Sequence, residues 1–126
     1  MDEGRDRRRA ARLSTSGGPY GVSFRQEGRD SRQVRLANIS STGCALEIPM
    51  EEAWDMEMGS VFRDFYLNHP ELPFVPLHAT VVRLLGKVPG KTSGYILAGV
   101  DFTLITPLVQ GLIQAHVEAH LLAEEG

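Results

Sequence analysis

Hydrophobic and polar positions alternate along most of this chain, and the period changes only near the C-terminus. Alternation runs over Tyr20 to Gln26 and stops at the polar turn Glu27-Gly28-Arg29-Asp30. It resumes over Gln33 to Ile39, where Val34 and Leu36 fall on one face and Arg35 and Ala37 on the other. Beyond Ser41-Thr42-Gly43, the residues Cys44, Leu46 and Ile48 again share a face. Val61 to Leu67, Leu77 to Leu85 and Tyr95 to Phe102 complete the strand set, the last two joined by a hairpin loop from Gly86 to Gly94. A shorter element is expected around Met50 to Met58, where Ala53, Trp54 and Met58 are apolar. Strands at such short intervals predict a small antiparallel barrel or sandwich, architectures that remove or protect exposed edges.

The C-terminal segment takes a helical period. Thr106 suits the N-cap and Pro107 the first helical position. Ile105, Leu108, Val109, Leu112, Ile113, His116 and Val117 then follow helical spacing, continued by Leu121 and Leu122, which predicts a helix over about 106–123. Gly111 within it costs about 1 kcal/mol relative to alanine and is expected at a close packing contact. At the other end, Met1 to Arg12 is too charged to bury and reads as a flexible arm, and Ser14 to Pro19 reads as a turn or hinge.

A length of 126 residues with 42% hydrophobic and 23% charged side chains fits one globular domain, and excludes a collagen-like, disulfide-stapled or wholly disordered chain. The net charge of −3 argues against DNA or RNA binding by bulk electrostatics. That figure hides an asymmetry: residues 1–35 carry nine basic and five acidic side chains, whereas residues 36–126 carry four basic and eleven acidic. Nearly all the basic residues are arginine, whose planar donor fork recognises phosphate or a base edge in a way lysine does not. The single cysteine, Cys44, forms no internal disulfide, which suits a reducing compartment. No apolar run approaches the roughly 18 residues that span a bilayer, and the N-terminus lacks the apolar core of a signal peptide. A cytoplasmic domain with no membrane insertion is therefore expected.

Motifs for catalysis and metal binding reduce to bland readings. Gly86 to Thr92 (GKVPGKT) has Leu85 where a phosphate-binding loop needs its first glycine, and a strand follows it where that loop needs a helix. His116 and His120 stand four apart on the final helix, but H-V-E-A-H is not the zincin order and no third donor lies near in sequence, so no metal is expected. His116 is expected to border the core and His120 the solvent. Cys44 reads as a small core residue, Glu51-Glu52 and Glu124-Glu125 as solvated faces, and no catalytic nucleophile or base stands out. The chain does not read as an enzyme.

Two clusters remain. Arg7-Arg8-Arg9-Ala10-Ala11-Arg12 contains R-x-x-x-R as Arg8 and Arg12, and Asn38-Ile39-Ser40-Ser41-Thr42-Gly43 reads N-x-S-x-x-G at the end of one strand. With Gly99-Val100-Asp101-Phe102 as a G-V-x-F strand and the closing helix, the chain resembles the PilZ domain family, bacterial receptors for cyclic di-GMP, over nearly its whole length. The resemblance implies a six-stranded antiparallel β-barrel at 14–126, a C-terminal helix, and a flexible arginine-rich arm at 1–13 that closes over the barrel surface when ligand binds. It implies cyclic di-GMP as ligand, with no further cofactor, and Arg7, Arg8, Arg12, Asn38, Ser40 and Gly43 as contacts. Arg9 and Arg83 are additional candidates. Many family members have aspartate where this chain has Asn38; an amide offers one acceptor where a carboxylate offers two. An arginine at the Arg7 position is associated in the family with an intercalated pair of ligand molecules.

The residue chemistry agrees. Arginine forks pair bidentately with guanine O6 and N7 and also bond phosphate, Asn38 can accept from guanine N–H groups, and Ser40 can bond a phosphate or base edge. Gly43 is expected to permit a tight turn that brings backbone N–H groups close. A receptor of this kind regulates a protein partner, here unidentified, in motility, biofilm or exopolysaccharide control, and the layout is similar to the PilZ half of flagellar-brake proteins. A second reading is a PilZ-like protein–protein interaction module without nucleotide, of the kind used in pilus biogenesis.

Overall fold

The computed structural model describes residues 11–15, 18–26, 32–53, 56–86 and 94–125. Seven strands form one antiparallel sheet: β1 (Leu13–Ser14), β2 (Gly21–Gln26), β3 (Arg32–Ile39), β4 (Gly43–Pro49), β5 (Val61–Asn68), β6 (Leu77–Leu85) and β7 (Tyr95–Leu104). The order β3-β2-β5-β6-β7-β4 returns on itself through a β3–β4 pairing, so six strands close a barrel. The expected barrel is thus the form adopted, and closure leaves none of those strands with a free edge.

The barrel is filled by the alternating apolar positions. Phe24, Phe62, Phe65, Leu36, Leu46 and Ile48 are fully buried, and Phe24 stacks on Phe62 with ring centroids 4.1 Å apart. Burying each such side chain stabilises the fold by about 1.5–3 kcal/mol. In β4 the outward Ala45 and Glu47 are buried as well, so this strand is covered on both faces. Of the short element expected around Met50 to Met58, the described residues show a 3-10 turn at Met50–Glu52, and Trp54 lies outside them. Met56 enters the core there, while Met58 stays exposed.

Strand β1 is an addition that alternation does not reveal, because two residues carry no period. Leu13 pairs with Ile39 and Ser14 with Asn38, along the end of β3 beyond its pairing with β2 and opposite β4. Leu13, read from sequence as the end of the arm, is 2% exposed, and the Thr15 hydroxyl donates to the Leu36 carbonyl at 2.6 Å. The expected hinge at Ser14 to Pro19 therefore begins as a fixed attachment. The arginines Arg7, Arg8 and Arg9 and most of the Gly86 to Gly94 loop lie outside the described residues.

Helix α1 (Pro107–Glu125) starts as its cap predicts, the Val109 N–H donating to Thr106 Oγ1 at 3.2 Å. Its apolar residues divide into two faces: Val109, Ile113, His116 and Val117 are buried, while Leu108, Leu112 and Leu122 are exposed. Gly111 corrects the sequence reading, since a Cβ there would meet no atom within 4 Å and no close packing requires the glycine. Gln110 Nε2 donates to the Ser41 carbonyl at 3.1 Å, bracing the β3–β4 turn against the helix.

Candidate functional site

Two irregularities in the sheet create the site. In β3, Val34 and Leu36 point inward and strict alternation would send Asn38 after them. The register slips between Leu36 and Asn38, so Ile39 takes the core position and Asn38 turns outward. In β6, Leu77, Ala79 and Val81 point inward, and a slip between Val81 and Arg83 leaves Val82 and Arg83 both exposed. Each bulge thus delivers one polar side chain to the outer surface.

Those two residues end one lateral row. Asn38 pairs with Ala45, Ala45 with Gly99, and Gly99 with Arg83, across β3, β4, β7 and β6. At a strand spacing of about 4.8 Å the row is about 14 Å wide. Its middle is small, a methyl group and a glycine, and its ends are an amide and a guanidinium. The result is a concave surface of about 500 Å³, which Arg12, Val82, Leu85, Leu97 and Asp101 also line. Arg12 reaches the row from β1's N-terminal side, its Nη1 donating to Asn38 Oδ1 at 2.6 Å.

The candidates Ser40 and Gly43 flank the β3–β4 turn. Ser40 is fully buried, and its hydroxyl closes the β3–β4 turn: it lies 3.3 Å from the Gly43 carbonyl and accepts from the Thr42 N–H at 3.2 Å. Gly43 is required for a reason other than the expected turn conformation. Its φ is not positive, but a Cβ would sit 2.2 Å from the Val100 carbonyl oxygen, so glycine allows β4 and β7 to approach. Cys44 is buried at 1% exposure, and burial pushes its thiol well above the ordinary range, which leaves no thiolate nucleophile.

Asp101 is the carboxylate of the cavity lining, and nothing in the sequence marked it as a site residue. It follows Gly99 by two positions on β7, so the same alternation that bares the glycine brings this carboxylate to the surface beside it. The cavity therefore offers two guanidinium groups, an amide, a carboxylate acceptor and an apolar lining from Val82, Leu85 and Leu97. Such a set suits a flat molecule with both N–H donors and anionic groups, and the volume lies within the 300–1,000 Å³ usual for ligand sites.

The fold is shared with known structures. A comparison with curated protein sequences returns no match. Among solved structures, the MrkH–c-di-GMP complex of K. pneumonia is similar with a TM-score of 0.79 at 16% identity, covering 94% of this chain and 54% of that one. The Bacillus subtilis inhibitor of motility (MotI/DgrA) gives 0.75 at 15% identity, covering 100% and 55%. The PilZ domain with c-di-GMP of YcgR from Escherichia coli gives 0.69 at 18% identity, covering 95% and 99%. This chain thus spans about half of the first two neighbours and essentially all of the third. The family model of the PilZ domain matches residues 6–119, and the chain belongs to the PilZ domain family.

Proposed function

We propose that this domain is a cyclic di-GMP receptor whose ligand lies along the Asn38–Arg83 row. The observation that carries the reading is the Arg12–Asn38 bond at the end of that row, since it joins the two sequence clusters at one surface. Arg12 and Arg83 would address guanine edges or phosphates from the two sides, and Asn38 and Asp101 would accept guanine N–H groups. Val82, Leu85 and Leu97 supply apolar surface for a purine face. Ser40 and Gly43 act through the turn that holds Asn38. Arg8 completes the R-x-x-x-R pair, and Arg7 and Arg9 add charge suited to an intercalated ligand pair with four phosphates.

A ligand N–H that reaches Asn38 Oδ1 competes with or joins Arg12 there, so in this reading exchange at that oxygen couples the ligand to Arg12. That exchange is the switch by which the domain would present a changed surface to a protein target. Calorimetric titration with cyclic di-GMP, cyclic di-AMP, GTP and single-stranded RNA tests the reading. Saturable binding of cyclic di-GMP alone supports it, and two ligands per chain falling to one in Arg7→Ala supports the intercalated pair. No heat with any of the four leaves the protein–protein module as the function.

A further inference from the structure

Three of the chain's four histidines meet outside the Asn38–Arg83 cavity. His69 and Glu71 lie in the connection between β5 and β6, and His116 and His120 on successive turns of α1. One ligating atom from each of His69, Glu71 and His116 falls within 4.8 Å of the others. His120 Nε2 lies 2.9 Å from Glu71 Oε1 and His116 Nδ1 lies 3.4 Å from the same oxygen. The His116 and His120 rings are 4.2 Å apart between centroids.

The rings are also oriented from behind. The Tyr20 hydroxyl is 2.8 Å from His116 Nε2, which leaves Nδ1 as the nitrogen facing Glu71. His69 stacks on Tyr20 at 4.1 Å, and its Nδ1 accepts from the Glu71 N–H at 3.1 Å. For His116, donation of the Nε2–H to the Tyr20 oxygen leaves the Nδ1 lone pair facing Glu71, the second-nitrogen hydrogen bond that raises metal affinity.

We propose that this junction is a binding site for a divalent cation of the zinc class, taken by His69, Glu71 and His116, with His120 hydrogen-bonded to the Glu71 carboxylate. Nitrogen donors with one carboxylate select zinc and its neighbours over magnesium or calcium. Bonds of about 2.0–2.1 Å need donors about 3.3 Å apart, so the set must contract, and the exposed Glu71 side chain is free to follow. The bound ion would tie the β5–β6 connection to α1. None of these residues lines the Asn38–Arg83 cavity, so the proposal stands whether or not a nucleotide binds.

The test is titration of the chelator-treated full chain with zinc chloride, followed by calorimetry and by the histidine ring signals in NMR. One zinc per chain is expected, with the His69, His116 and His120 signals moving, His78 unmoved, and magnesium inert. Glu71→Gln, at an exposed position that does not support the core, should weaken zinc binding by about 10-fold or more. Wild-type zinc affinity in Glu71→Gln overturns the proposal. So does a zinc response confined to His78, or no response at all.

Discussion

Arg12 and Asn38 are 26 residues apart in sequence, yet the guanidinium donates to the amide oxygen at 2.6 Å. The contact is exposed, so it contributes little to folding and is available for exchange. Arg12→Ala should therefore weaken cyclic di-GMP binding by about 10- to 100-fold while leaving the unfolding free energy within about 0.5 kcal/mol. Calorimetry and urea unfolding of the same variant separate the two effects.

Arg83 owes its outward position to the β6 bulge and stands at the opposite end of the row. Arg83→Ala should weaken binding by about 10-fold, and Arg83→Lys should restore only part of the loss, because lysine keeps the charge without the fork. Full recovery in the lysine variant would assign Arg83 a purely electrostatic role.

Two glycines of the same region should respond oppositely. Gly43→Ala forces a Cβ against the Val100 carbonyl and should destabilise the barrel by about 1–3 kcal/mol or more. Gly99→Leu starts from a Cβ with its nearest contact at 3.4 Å from Arg83 Cβ, so it should fold, fill the trough and abolish ligand binding. Thermal melts with and without cyclic di-GMP distinguish the two.

Gly111 meets nothing on its open side and sits inside a 19-residue helix. Gly111→Ala should raise stability by about 1 kcal/mol, read as a higher urea midpoint at an unchanged slope.

The histidine cluster makes stability depend on pH. His69 and His116 sit below the ordinary 6.5, first through burial, and also through neighbouring histidine charge. They bind protons more readily in the unfolded chain, so their contribution is complete above about pH 6.5 and is lost as pH falls below it. Glu71, lowered first by its hydrogen bond with His120, acts in the same direction at more acidic pH. In the presence of a chelator, the urea midpoint should be lower at pH 5.5 than at pH 7.5, and His116→Gln should flatten the difference.

The strands and the helix were legible because each buries one periodic face: β6 spans the alternating segment Leu77–Leu85, and Thr106 caps where its hydroxyl is needed. Alternation alone left barrel and sandwich open, since closure depends on β3 meeting β4 as well as β2. The bulges were hidden because each is a one-residue slip that reverses parity. Only the polar Asn38 ahead of the apolar Ile39 hints at the first of them. The histidine cluster was invisible for another reason: His69 and His116 belong to elements that touch only after folding, and no local spacing encodes that encounter.

Leu13 sets a leash. Because this residue is locked into the shell, its neighbour Arg12 leaves from a fixed post, and its guanidinium meets the Asn38 end of the row from there. Undoing the Leu13–Ile39 pairing would therefore release a ligand-facing cation together with a strand.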